Sequence, residues 1–169
     1  VCHSVMVEKS GKSKPIEGDE NVLDHEENKM GDQSSVPTYQ CASPDELALV
    51  KAAYKVNCWL VGRSKDYITV QEFENKNEHK MCAEFEFDST RKRMSVIAQL
   101  GSEYYLYTKG ADNMMMPTIK WKSQDEQAVL TDHLYSFAIE GLRTLVMGRK
   151  KLSSSEYESI MKQIDTILK

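Results

Sequence analysis

Long apolar runs are missing from this 169-residue chain, and none approaches the roughly 18 to 20 residues of a membrane span. No signal-peptide-like apolar stretch opens it, so the expectation is a soluble piece. Excess positive charge is also missing. A net charge of -4 argues against general nucleic-acid binding, which needs a basic field to release counterions from phosphates. Cysteine is sparse and scattered: Cys2, Cys41, Cys58 and Cys82 form no Cys-x-x-Cys pair, which fits free thiols in a reducing compartment. His79 and Cys82 lack a second pair at zinc spacing, so no metal site is expected. Gly11-Lys12-Ser13 imitates the end of a Walker A loop, but the required glycine five positions earlier is Met6.

What is present has the length and the 40 % hydrophobic share of one ordinary domain spanning 1–169. Val1 to Val7 is a brief apolar piece of open role. Residues 8–37 are polar and charged, with too few apolar positions to offset ordering entropy, and are expected to form a mobile insertion. Order resumes at Tyr39. Ser43-Pro44-Asp45-Glu46 combines an N-cap, a first-turn proline and a capping-box glutamate, predicting a helix to about Val56 with Leu49, Ala52, Ala53 and Val56 inward.

Trp59–Val61 and Tyr67–Val70 read as strands around a polar turn, and Asn75–Lys80 as a polar break. In Met81–Phe87 the period of two places Ala83, Phe85 and Phe87 on the inward side. The Gly101-Ser102 step predicts a hairpin tip that pairs Leu100 with Glu103, Ala98 with Tyr105, Val96 with Tyr107 and Met94 with Lys109. That register gathers Lys109 and the Arg91-Lys92-Arg93 turn at one edge, near Phe87. An aromatic face beside cations suits a phosphorylated base.

Met114, Met115 and Met116 read as core gap-fillers. Ser123 to Glu126 repeats the capping box and starts a second helix, with Leu130, Leu134 and Phe137 at helical spacing and Gly141 as its stop. Leu142–Gly148 reads as a strand with Arg143 inside it, a cation that needs a partner. Ser153 to Glu156 opens a third helix through Leu168, with Tyr157, Ile160, Met161, Ile164, Ile167 and Leu168 as its stripe. The pattern is α+β: a mostly antiparallel sheet flanked by helices.

Four residues stand out, each with an ordinary explanation beside a functional one. Phe87 is a core side chain or a ligand platform. Glu46 is the capping partner of Ser43 or a ligand contact. Lys109 is an exposed strand-end lysine or a group brought near a ligand by the turn at Gly110. Arg143 is a charge awaiting a partner or a phosphate contact.

Together they lie in four blocks: Tyr39-Gln40-Cys41-Ala42-Ser43-Pro44-Asp45-Glu46, Phe87 to Val96, Lys109-Gly110-Ala111-Asp112, and Glu140-Gly141-Leu142-Arg143-Thr144-Leu145. In this order they resemble the nucleotide-binding (N) domain of P-type ATPases, and the first two resemble the P4, phospholipid-flippase branch. The resemblance covers Tyr39 to about Lys151. It implies that ATP stacks its adenine on Phe87, with Glu46 near the amino edge, Lys109 beside base and ribose and Arg143 toward the phosphates. Ser89, Arg91 and Thr144 are weaker candidates.

The resemblance further implies a cytoplasmic domain of an integral membrane protein, itself making no membrane contact. It would deliver ATP to an aspartate in a separate domain and work with phosphorylation and actuator domains and an accessory subunit. The Asp-Lys-Thr-Gly sequence of that aspartate is absent here, as are the Mg²⁺ ligands, so binding without turnover is expected, near the millimolar range or about 4 kcal/mol. The rival expectation is a catalytically silent interaction module, its insertion binding a regulatory protein and its nucleotide pocket vestigial.

Overall fold

The computed structural model describes residues 3–7, 37–41 and 43–167. Most of the expected insertion, residues 8–36, lies outside the described residues, as does Leu168. Two short strands, β1 (Met6–Val7) and β2 (Tyr39–Gln40), pair antiparallel and lead into α1 (Pro44–Lys55). The other strands are β3 (Cys58–Arg63), β4 (Tyr67–Glu72), β5 (Asn75–Asp88), β6 (Arg93–Leu100), β7 (Glu103–Gly110) and β8 (Val146–Leu152). They form one six-stranded sheet in sequence order, antiparallel at every step. Between β7 and β8 lie α2 (Asp112–Met115), a 3-10 turn (Met116–Thr118) and α3 (Gln124–Ile139), and α4 (Ser154–Ile167) follows β8. The α+β expectation holds.

β6 and β7 carry the hairpin in the expected register: Leu100 faces Glu103, Ala98 faces Tyr105, Val96 faces Tyr107 and Met94 faces Lys109. Gly101 takes a positive φ of 61° at the first turn position, where a glycine has no steric penalty. β6 is the centre of the sheet, and Met94 through Ala98 are all buried. Val5, Tyr39, Val50, Leu60, Ile68, Val70 and Met81 complete the main core, which therefore lies between the sheet, α1 and the β1–β2 pair.

Asn75–Lys80 is not a break. It is the first half of β5, and each residue pairs with β4 from Glu72 back to Tyr67, satisfying its backbone groups while Asn75, Lys76, Glu78 and Lys80 remain exposed. The inward assignment of Phe87 also fails. Register shifts between Met81 and Ala83 and between Phe85 and Asp88 break the alternation, and Phe87 emerges 66 % exposed.

On α1 the buried stripe is Glu46 and Val50, with Leu47, Ala53 and Tyr54 half-buried; Leu49, Ala52 and Val56 are exposed. Glu46 itself draws that face inward, because its carboxylate is bonded beneath the helix. The expected strand at Leu142–Gly148 starts only at Val146. Gly141, at φ 72°, ends α3 with its N–H on the Ala138 carbonyl and the Leu142 N–H on the Phe137 carbonyl, a paired closure that uses up the next residues in turning.

Leu130 and Leu134 are half-buried on α3, whereas Phe137 is largely exposed. α4 begins with a complete capping box: Glu156 N donates to Ser153 Oγ (3.3 Å) and Ser153 N to Glu156 Oε2 (2.9 Å). Tyr157, Ile160, Met161 and Ile164 are its covered side chains, Ile167 is exposed, and Tyr157 stacks on Tyr104 at 3.8 Å. Of the three methionines Met115 is buried, against Gly148.

Candidate functional site

Glu46 has the side-chain length and first-turn position of a capping-box residue, yet it closes no box. Ser43 Oγ does accept from the Glu46 N–H (3.4 Å), but the reciprocal partner is absent, because Ser43 N donates to Cys41 Sγ (3.4 Å). The carboxylate turns beneath the helix instead. Oε1 accepts from Lys109 Nζ at 2.5 Å, and Oε2 accepts from Ser4 N (3.0 Å) and Ser4 Oγ (2.6 Å) with Cys41 Sγ at 3.5 Å. Glu46 and Lys109 are each only 8 % exposed. Burial by itself raises the carboxyl pKa; the hydrogen bonds from Lys109 and Ser4 outweigh it and hold Glu46 at about 2.

Lys109 is brought there by β7, one residue before the sheet edge. Gly110 is the reason the edge can close. A Cβ at this position would meet the Lys92 carbonyl oxygen at 2.6 Å and the Arg93 Cβ at 2.7 Å, and the same carbonyl accepts from Ala111 N (3.1 Å). The Lys92–Arg93 turn is itself pinned by Asp88, whose Oδ1 accepts from Thr90 N and Arg91 N, both at 2.8 Å, bonds that lower the Asp88 pKa. Lys92 has a positive φ of 49° in this turn.

Around these groups opens a cleft of about 930 Å³. It is lined by Glu46, Phe87, Ser89, Lys109, Arg143 and Thr144, six of the residues singled out in the sequence. Arg91, the seventh, does not line it; its guanidinium donates to the Glu86 carbonyl at 2.7 Å. Glu46 and Lys109 also line a smaller cavity of about 280 Å³ beside Val50, Trp59, Leu60 and Tyr107, so the ion pair is shared by both spaces.

Arg143 belongs to the loop between α3 and β8, not to a strand, and is open to solvent. Its Nη1 donates to Asp45 Oδ2 at 2.8 Å, a bond that raises the guanidinium pKa. The partner its charge demanded is thus the residue beside Glu46 on the first turn of α1. No spacing rule links positions 98 residues apart, so Asp45 was not visible as that partner. Lys92, expected with its turn beside the site, lines the cleft, whereas Ser4, which lines it too, was missed. Ser4 lies in a short apolar piece without a motif, and tertiary contacts, the β1–β2 pairing, the burial of Val5 and the Arg63 bond to the His3 carbonyl, carry it to α1.

The cleft offers an exposed aromatic ring, a buried carboxylate that accepts hydrogen bonds, a lysine and an arginine at the rim. That set suits a planar base carrying a donor edge together with an anionic tail. Among the described residues no group of three or more His, Cys, Asp or Glu is arranged to hold a metal ion.

Comparison with known proteins places the chain in a family. The family described as "P-type ATPase, cytoplasmic domain N" matches residues 20–168. The human phospholipid-transporting ATPase IK is 34 % identical over 94 % of this chain and 11 % of its own length. The human probable phospholipid-transporting ATPase IM is 34 % identical over 83 % of this chain and 12 % of its length. Phospholipid-transporting ATPase neo1 of Schizosaccharomyces pombe is 39 % identical over 73 % of this chain and 11 % of its length. The chain therefore spans about a tenth of the length of these relatives. It belongs to the P-type ATPase family, as a cytoplasmic domain N of the P4, phospholipid-transporting class.

Proposed function

We propose that this domain binds ATP in the 930 Å³ cleft and presents it to a phosphorylatable aspartate in a separate domain of a phospholipid-translocating ATPase. The observation that carries the reading is the meeting of an exposed Phe87 ring with the buried Glu46–Lys109 pair in one cleft. Adenine stacks on Phe87, an interaction of about 1 to 3 kcal/mol per base. Glu46 accepts from the amino edge, Lys109 lies beside base and ribose, and Arg143 leaves Asp45 for the phosphates, where a planar guanidinium matches the oxygens. Ser89 and Thr144 flank the ligand, and Arg91 shapes the turn beside it.

Few contacts and two ion pairs that already engage the cations favour weak, millimolar binding, about 4 kcal/mol. Such affinity suits a domain that must also release product. Mg²⁺ would arrive with the nucleotide and take its remaining ligands outside this chain, and the fragment alone would not turn over. In the parent protein this is the cytoplasmic ATP-binding part of an integral membrane translocase, working with phosphorylation and actuator domains and an accessory subunit. No helix among the described residues is long and apolar enough to cross a membrane.

An ATP titration followed through backbone amide shifts tests the reading. Saturating shifts at Phe87, Lys109 and Arg143 in the millimolar range are expected. Phe87→Ala should weaken binding by the stacking contribution, about 1 to 3 kcal/mol, and leave the melting temperature unchanged, because the ring is 66 % exposed. A flat response at several millimolar ATP would overturn the proposal.

A further inference from the structure

A glutamate side chain has three rotatable bonds, and one lysine at 2.5 Å does not by itself decide which way the carboxylate plane faces. In this site the second constraint comes from Ser4. Its backbone N–H and its hydroxyl converge on the same oxygen, Glu46 Oε2, at 3.0 and 2.6 Å. Ser4 is fixed in turn by its neighbours. Val5 is fully buried, Arg63 donates to the His3 carbonyl, and β1 pairs with β2 immediately upstream of α1.

The result is a division of labour between the two carboxylate oxygens. Oε2 takes both donors of Ser4, with Cys41 Sγ near by; Oε1 takes Lys109. A carboxylate oxygen offers about two acceptor positions, so Oε1 retains one for a donor arriving through the cleft. Ser4 lines the same cleft, so its hydroxyl also stands at the edge of the space a base would occupy.

We infer that Ser4 is a positioning residue of the nucleotide site, holding the Glu46 carboxylate so that Oε1 meets a purine carrying an exocyclic 6-amino group. This rests on the ATP-binding reading above. Ser4 does not stack on the base or touch the phosphates; it acts through Glu46. Its effect therefore falls on discrimination between a 6-amino purine, which donates to Oε1, and a 6-oxo purine, whose carbonyl would face a carboxylate oxygen and be repelled.

The test compares this chain with its Ser4→Ala and Ser4→Thr variants. Binding of ATP, inosine triphosphate and inorganic tripolyphosphate is followed by amide shifts, and the Glu46 carboxyl is titrated by carbon NMR. Thermal melts verify that each variant is folded. Ser4→Ala keeps one donor and loses the other, so ATP affinity should fall about 3- to 10-fold, the range for one ordinary hydrogen bond, because the lost contact acts on the ligand only through Glu46. Inosine triphosphate and tripolyphosphate should be unaffected, and the Glu46 pKa should rise from about 2. Ser4→Thr, with both donors, should behave as the parent chain.

If Ser4→Ala weakens all three ligands equally, or leaves both the ATP-to-inosine ratio and the Glu46 titration unchanged, the positioning role is wrong while ATP binding stands. If the parent chain responds to none of the nucleotides, the ATP-binding reading itself falls and the inference falls with it. The Glu46 titration separates the cases, because it reports the Ser4 contact without any ligand.

Discussion

Lys109 Nζ lies 2.5 Å from Glu46 Oε1, joining β7 to the first turn of α1 across 63 residues of chain. Both side chains are almost wholly buried. A buried pair of this kind is weak support for stability against an apolar replacement, but losing one member strands the other. Lys109→Met should therefore lower the unfolding free energy by about 3 kcal/mol in urea titrations. Adding Glu46→Gln should recover part of the loss, and strictly additive effects would contradict the coupling.

The same pair sets an acid limit. The Glu46 pKa is depressed from 4.5 to about 2, so its contribution is fully present above about pH 4.5 and is lost as pH falls toward 2. Denaturant midpoints measured across that window should drop more steeply for the parent chain than for the Glu46→Gln, Lys109→Met double variant.

Asp45 and Arg143 pose the opposite case, an exposed pair that contributes little to folding but occupies the cation a phosphate would need. Asp45→Asn should release Arg143 and tighten ATP binding modestly, roughly two- to threefold, with little change in melting temperature. Isothermal titration alongside a thermal melt decides it. Weaker ATP binding by a folded variant would show that Arg143 is not the phosphate contact.

Gly110→Ala places a methyl group 2.6 Å from a backbone oxygen and 2.7 Å from the Arg93 Cβ, neither of them the yielding tip of a flexible side chain. The turn must open or the strand must shift. A loss of about 1 to 3 kcal/mol follows, with displaced amide resonances at Lys92, Arg93 and Ala111. An unperturbed Gly110→Ala melt would mean that the edge is looser than its contacts.

His79 is buried on β5, and its Nδ1 has no hydrogen-bond partner among the described residues. Burial lowers its pKa below 6.5, so the unfolded chain takes up the proton first. Stability is whole above pH 6.5 and declines as pH falls through that value. His79→Leu should flatten the pH dependence of the melting temperature between about pH 7 and 5, and an unchanged slope would assign it to other groups.

Local chemistry alone determined much of this protein. Three serine-started helices, the Gly101-Ser102 hairpin with its full register, and the antiparallel α+β class were all legible, because caps, tight turns and a period of two act within a few residues. So were six of the residues that line the cleft, through their blocks of sequence. Tertiary structure alone decided what those residues do to each other. Phe87 is exposed because register shifts on either side of Ala83 and Phe85 undo the alternation that a regular strand would keep. Glu46 abandons the helix cap because a lysine from β7 and a serine just before β1 offer its charge stronger partners beneath the helix. Arg143 meets Asp45 because Gly141 turns the chain back before the strand begins. Each of these outcomes depends on a contact between distant segments, whose energies no local window of sequence contains.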